Sequence, residues 1–206
     1  MNLQGFIKYI RIYIVGLRSF KVHEPPSSSQ RLDTYVTPLD WHPGASILRR
    51  SFWLLIGRPL VASWLPGTPW RKLLLRLFGA RIGISGRIKP RLQVTFPWRL
   101  ELGHHCWLGE AVWIDNLASV SFGDRVCVSQ GAYLCTGNHD FRSTSFGLRV
   151  APIKIESDAW IAARAVLAPG TFIGSGAVVA LGAVVSGTVA AGAIMRGNPA
   201  VVVGWR

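Results

Sequence analysis

The sequence predicts an all-β domain wound as a parallel β-helix and entered through a short helical and extended segment. Two observations carry this reading. From Gly79 onward large aliphatic or aromatic residues recur in runs at every sixth position, often followed by glycine. Two positions before most of these residues lies a smaller or aliphatic partner, such as Cys106, Val112, Val126, Ala132, Ala159, Ala165, Ala177 or Ala183. A period of six fits neither an α-helix of period 3.6 nor an amphipathic strand of period two. It fits a short strand plus a turn, three of which close one coil of a prism. Stacked coils pair each strand with those above and below and leave open edges only at the ends.

The elements follow in chain order. Met1 to Leu17 is an apolar stretch broken by Lys8 and Arg11, with no small-residue cleavage site after it, so it makes a poor signal peptide. Residues 21 to 45 carry Pro25, Pro26, three consecutive serines, Pro38 and Pro43, which favours an extended linker. Residues 46 to 78 read as helical, with a break at Leu65-Pro66-Gly67 and a new start at Thr68-Pro69-Trp70, where proline suits the first turn. The apolar run from Ile47 to Leu65 is interrupted by Arg49, Arg50 and Arg58 and lacks the uninterrupted length of a membrane span. Two readings of these basic amphipathic stretches stay open: packing against the domain, and peripheral contact with a membrane. The organisation expected is thus a basic N-terminal segment and linker over 1–45, a helical lead-in over 46–78 and a solenoid over 79–206.

Within the solenoid, Ile82, Ile88 and Val94 form one run, Leu102, Leu108 and Ile114 the next, and Phe122, Val128 and Leu134 a third. The register is lost from Cys135 to Pro152 and resumes at Ile155, continuing through Ile161, Leu167, Ile173, Val179 and Val185. The interruption contains Gly137-Asn138-His139-Asp140-Phe141. Insertions in solenoids form loops on one face, often the binding face, so the chemistry is expected here.

Half of the 206 residues are hydrophobic, which excludes disorder as the general state. The formal net charge is +13 and the pI about 10.8, which points to an anionic partner. Nucleic acid is disfavoured: the arginines are scattered, and no zinc-ligand cluster, helix-turn-helix or RRM-like motif accompanies them. Phosphates of a coenzyme, a lipid-linked sugar or an anionic membrane surface fit better. Cys106, Cys127 and Cys135 lack metal-type spacing and read as small buried hydrophobes of a reduced compartment.

The sequence resembles the hexapeptide-repeat acetyltransferases, which include the galactoside, maltose and xenobiotic enzymes, and within them the exopolysaccharide O-acetyltransferases of the colanic-acid biosynthesis type. The resemblance rests on Arg31-Leu32-Asp33-Thr34-Tyr35, Trp70 to Gly79, Phe96-Pro97-Trp98, Trp107 to Glu110, Ser129 to Gly137, Ala159 to Ala163 and Gly197-Asn198-Pro199-Ala200. It implies a left-handed parallel β-helix, a hand that the spacing alone does not give, since right-handed crossovers are the rule for parallel strands. It further implies a homotrimer with sites between neighbouring subunits, acetyl-CoA as cosubstrate and a sugar or lipid-linked oligosaccharide as acceptor. Acetyl-CoA is intracellular, so a cytoplasmic enzyme at the inner membrane face is expected.

Acetyl transfer to a hydroxyl needs a base for the alcohol proton and donors for the developing oxyanion. His139 matches the family's essential histidine, and imidazole suits proton transfer near neutrality. Asp140, adjacent to it, is the candidate for orienting the imidazole, with solvation as the alternative. Asp115 and Asn116, with Glu110 behind them, stand where relatives contact the acceptor, although Asp and Asn are also common turn residues. By resemblance Trp160 borders the acetyl-CoA tunnel, and Ala162 and Ala163 replace glycines against which pantetheine lies. The usual lysine is missing from Val185-Ser186-Gly187-Thr188-Val189, which leaves Arg164 or Arg196 for the coenzyme phosphates. His104 and His105 raise the thought of a zinc site, but the loop lacks the second histidine of β-helical carbonic anhydrases, and no metal is expected. An N-acetyltransferase of amino sugars, a zinc hydratase and a non-catalytic scaffold are the alternatives.

Overall fold

The residues repeated at every sixth position point into one interior. In the computed structural model, which describes residues 31–206, three parallel sheets form the sides of a prism. The reading of Met1 to Leu17 as a basic amphipathic stretch lies outside the described residues. The first side stacks Arg81–Ile82, Leu100–Leu102, Val120–Phe122, Ile153–Ile155, Phe172–Ile173 and Thr188–Val189. The second stacks Arg87–Ile88, Trp107–Leu108, Cys127–Val128, Trp160–Ile161, Val178–Val179 and Ala193–Gly197, and Ala200–Trp205 closes it in antiparallel fashion. The third stacks Gln93–Val94, Trp113–Asp115, Tyr133–Cys135, Val166–Leu167 and Val184–Val185. This is the parallel β-helix that the repeats and the resemblance led us to expect.

Register makes the repeat visible in three dimensions. Ile88, Leu108, Val128, Ile161, Val179 and Met195 lie one above another, as do Val94, Ile114, Leu134, Leu167 and Val185, and all are buried. Burying one such side chain contributes about 1.5–3 kcal/mol, which makes the column the main stabilising element of the chain. The coils stack so closely that a Cβ on Gly109 would lie 2.5 Å from the Gln130 nitrogen of the next coil. The small partner two positions earlier is also buried in most coils, filling the corner beside each large residue.

Cys106 is buried as expected, but Cys127 and Cys135 are only half-buried. In the strand Cys127–Val128 the inward position belongs to Val128, so alternation turns Cys127 to the outside. Two further features were not foreseen. The step from Val185 to Val189 is four residues rather than six, because Thr188–Val189 already pairs with Phe172–Ile173. The chain then ends in the hairpin Ala193–Gly197 with Ala200–Trp205, joined through a cis Asn198–Pro199 bond.

The lead-in is helical over Ile47–Phe52, widens to a π-helical turn over Trp53–Gly57, continues over Arg58–Val61 and restarts at Thr68–Leu77. Ser46 caps the first helix by accepting the Arg49 N–H. Trp53 anchors it to the solenoid: the indole is buried and its Nε1 donates to the Thr95 carbonyl at 3.0 Å. Glycine is required at position 57, where a Cβ would meet the Trp53 ring at 2.3 Å. The turn between the helices is organised by Arg71, which is fully buried. Its guanidinium donates to the carbonyls of Val61, Ser63, Leu65 and Gly67 at 2.5–3.2 Å and lies over the Trp70 ring.

Candidate active site

The interruption of the repeat folds into a short antiparallel ribbon, Gly137–His139 against Leu148–Val150, with His139 opposite Leu148. Its tip turns back so that the Phe146 carbonyl lies 2.9 Å from His139 Nδ1. Phe146 holds a positive φ of 50°, an unusual conformation for an aromatic residue, and its ring stacks on the imidazole with centroids 4.3 Å apart and planes 7° apart. A carbonyl can only accept, so Nδ1 carries the proton in the neutral ring and Nε2 is left as an acceptor. This is the tautomer a general base needs. Tyr35 completes the surround, its ring edge-on to the imidazole at 6.0 Å. The 3-10 turn Leu32–Thr34 before it is tied to the same loop, since the Arg31 N–H donates to the Thr144 carbonyl at 2.9 Å.

Asp140 does not take the orienting place considered for it. Just past the end of the strand Gly137–His139, its carboxylate pairs with Arg149 at 2.5 Å and accepts the Arg142 N–H at 3.2 Å. The Phe146 carbonyl holds Nδ1 instead. Sequence reasoning missed Phe146 and gave Tyr35 no role. Tyr35 lay within the Arg31-to-Tyr35 motif, but nothing in the spacing of Phe146 signals that its backbone returns to His139.

The expected acceptor residues separate. Asn116 is fully buried, its amide accepting the Phe96 N–H at 2.8 Å and donating to the Phe96 carbonyl at 2.7 Å. Both polar ends are spent on the adjacent coil, so Asn116 is a bracket between turns and not an acceptor contact. Asp115 is partly exposed and accepts from Thr95 Oγ1 at 2.9 Å and Tyr133 Oη at 3.3 Å. Burial, a hydrogen bond with Cys135 and the Asp115 charge push the Tyr133 phenol above its usual range, so it remains a donor. Glu110 is exposed, 3.6 Å from Arg91, at the rim of a cavity of about 490 Å³ that Lys89, Trp107, Ser129 and Gln130 also line.

Trp160 stands on the outside of the second side, half-exposed, with Nε1 donating to Ser129 Oγ at 2.9 Å. The cavity beside it holds about 550 Å³ and is lined by Cys127, Val178, Ile194 and Arg206 among others. Ala162 is buried, whereas Ala163 and Arg164 form the corner that follows. Arg164 has φ 56°, and its N–H donates to the Gln130 carbonyl, so its side chain leaves the solenoid at the rim shared with Glu110 and Gln130. Arg196 is exposed in the terminal hairpin. His104 and His105 lie at another corner, where His104 Nδ1 accepts the Ile84 N–H. Among the described residues no group of three or more His, Cys, Asp and Glu side chains converges.

A parallel solenoid interrupted by a histidine-bearing loop is the architecture that the resemblance to acyl-transfer enzymes implied, and comparison with known proteins agrees. No family model matches the sequence. The chain is 37% identical over 176 residues to the Escherichia coli (strain K12) protein WcaF, named for acetyl transfer in colanic acid biosynthesis; the match covers 84% of this chain and 96% of WcaF. A hexapeptide-repeat acetyltransferase of Vibrio cholerae, solved with acetyl-CoA, superposes with a TM-score of 0.70 at 25% identity, covering 79% of this chain and 91% of the other. A galactoside acetyltransferase solved with coenzyme A has a TM-score of 0.66 over 77% and 80% of the two chains; at 19% identity it supports the fold alone. The chain belongs to the hexapeptide-repeat acetyltransferases, alongside WcaF.

Proposed function

We propose that the protein transfers the acetyl group of acetyl-CoA to a hydroxyl of a sugar used in cell-surface glycan synthesis, with His139 as general base. The observation that carries this is the 2.9 Å contact between His139 Nδ1 and the Phe146 carbonyl, which leaves Nε2 free to accept a proton. The acceptor hydroxyl loses its proton to Nε2 as its oxygen attacks the thioester carbonyl. A backbone N–H stabilises the resulting oxyanion. The intermediate collapses by breaking the C–S bond, and the imidazolium returns the proton to the departing coenzyme sulfur. No covalent acetyl-enzyme is needed.

In this reading acetyl-CoA lies beside Trp160, against Ala162 and Ala163, with Arg164 or Arg196 drawing its phosphates. Asp115, held by Thr95 and Tyr133, and Glu110 remain the candidates for the acceptor. Three chains assemble so that each site lies between neighbours, and the enzyme works in the cytoplasm, where acetyl-CoA is made, on a free or lipid-linked sugar. The catalytic unit is the solenoid over 79–206, with 1–45 and 46–78 as its lead-in.

The test is coenzyme thiol release by the wild type and by His139→Ala over a panel of sugars and lipid-linked sugars. A sugar ester from the wild type, with a loss of about 10²–10⁴-fold in the variant, is expected. Equal rates for both proteins would remove His139 as base, and an amide product would make the enzyme an N-acetyltransferase.

A further inference from the structure

The helical lead-in is apolar on both sides. Trp53, Gly57 and Val61 face the solenoid and are buried, yet Leu48, Phe52 and Leu55 on the opposite side are 70%, 56% and 74% exposed. Their spacing places them in one outward row along Ile47–Phe52 and the π-helical turn. Trp64, Leu73 and Leu77 continue the exposure, at 72%, 59% and 70%. A helix apolar all round is normally covered on all sides, and exposed patches of this kind mark contact surfaces.

Charge identifies the cover. Between Asp40 and Glu101 the sequence has eleven Lys and Arg and not one Asp or Glu. A cleft of about 830 Å³ between the helix Thr68–Leu77 and the first coil is lined by Lys72, Arg76, Arg87 and Lys89 beside Leu73, with no carboxylate. A second copy of the same face would set cation against cation. Most carboxylates of the described residues offer little to it, since Asp33, Glu101, Glu110, Asp140, Glu156 and Asp158 each already pair with a Lys or Arg, leaving Asp40, Asp115 and Asp124 outside ion pairs. A nucleic acid would use the cations but not the apolar row. Among the described residues no helix is long and apolar enough to cross a bilayer, so the fitting geometry lies along its surface.

We infer that the lead-in over 47–77 is a docking surface for an anionic lipid bilayer. Leu48, Phe52 and Leu55 enter the acyl boundary, and the cations around the Lys72–Lys89 cleft meet lipid phosphates. The inference is independent of the acetyl-transfer reading, because its readout is partitioning and not turnover.

The experiment is flotation of the full chain with vesicles of phosphatidylcholine alone and of phosphatidylcholine mixed with phosphatidylglycerol. The wild type is expected to float with the mixed vesicles, far less with the neutral ones, and to be released as salt rises. The triple variant Leu48→Ser, Phe52→Ser, Leu55→Ser is expected to partition about 100-fold more weakly, with its melting temperature and light-scattering mass unchanged. Lys89→Gln with Arg87→Gln is expected to weaken flotation with the mixed vesicles only. No flotation of the wild type, or equal flotation with both vesicles, overturns the proposal. So does undiminished flotation of the triple variant, which would place the contact elsewhere in the chain. A change in the triple variant's mass would make the row a contact between copies and likewise end it.

Discussion

The column of buried side chains and the loop that interrupts it hold their residues by opposite means. In the column, Leu134 and Ile161 are fixed by repetition, each meeting a like residue above and below, so that no single contact decides the fold. In the loop, His139 is fixed by one carbonyl and one stacked ring from a residue seven positions on. Repetition yields stability spread over many positions, whereas the loop yields one orientation from very few. Changes in the column should therefore act on folding, and changes in the loop on rate.

Ile161→Ala should break the column most severely. It removes a fully buried side chain between Val128 and Val179 and is expected to cost about 2–5 kcal/mol, seen as a lower denaturant midpoint. Turnover per folded molecule should stay near wild type. Asn116→Ala comes next, because it leaves the half-buried N–H of Phe96 without its partner and the Phe96 carbonyl with the Arg99 N–H alone; about 1–3 kcal/mol of stability should be lost. An acceptor contact would appear instead as a raised KM with stability intact.

Asp140→Asn sharpens the comparison within the loop. Its ion pair with Arg149 is largely exposed on the arginine side, so stability should change by less than about 1 kcal/mol and thiol release by less than about five-fold. A drop to the level of His139→Ala would return Asp140 to the chemistry. The smallest effect is expected at the corner, where the Arg125 guanidinium holds the Asp158 carboxyl below its usual range. A depressed folded value means that this contribution is present above the ordinary carboxylate range and lost as pH falls through the lowered value. Arg125→Ala should flatten the acid limb of the stability curve slightly, which urea titrations across that range would detect.

The same contrast explains what could be read from the residues. The column was legible because its period is written at every sixth position, and the gap from Cys135 to Pro152 located the loop. His139 was found through its family motif. Its partner was not, because any residue has a carbonyl and only the path of the chain decides which one returns. Asn116 looked like a sugar contact for a related reason: its residue type suits both roles, and only burial separates them. The alternation that turns Cys127 outward was available from its neighbour Val128, since a buried hexad position forces the residue before it to the surface.

Arg71 gives the lead-in an unusual kind of fastening. A salt bridge at that turn would loosen in acid and weaken as ions compete for it. Four carbonyl dipoles around a buried guanidinium have no proton to gain and no counterion to lose. Burial pulls the Arg71 pKa down, but guanidinium starts so high that it stays charged wherever the fold survives. The turn between the two helices is therefore insensitive to the acidity and ionic strength that would modulate everything on its surface, and only a change of side chain can release it. Lysine, with one compact ammonium, lacks the planar fork needed to span carbonyls spread from Val61 to Gly67.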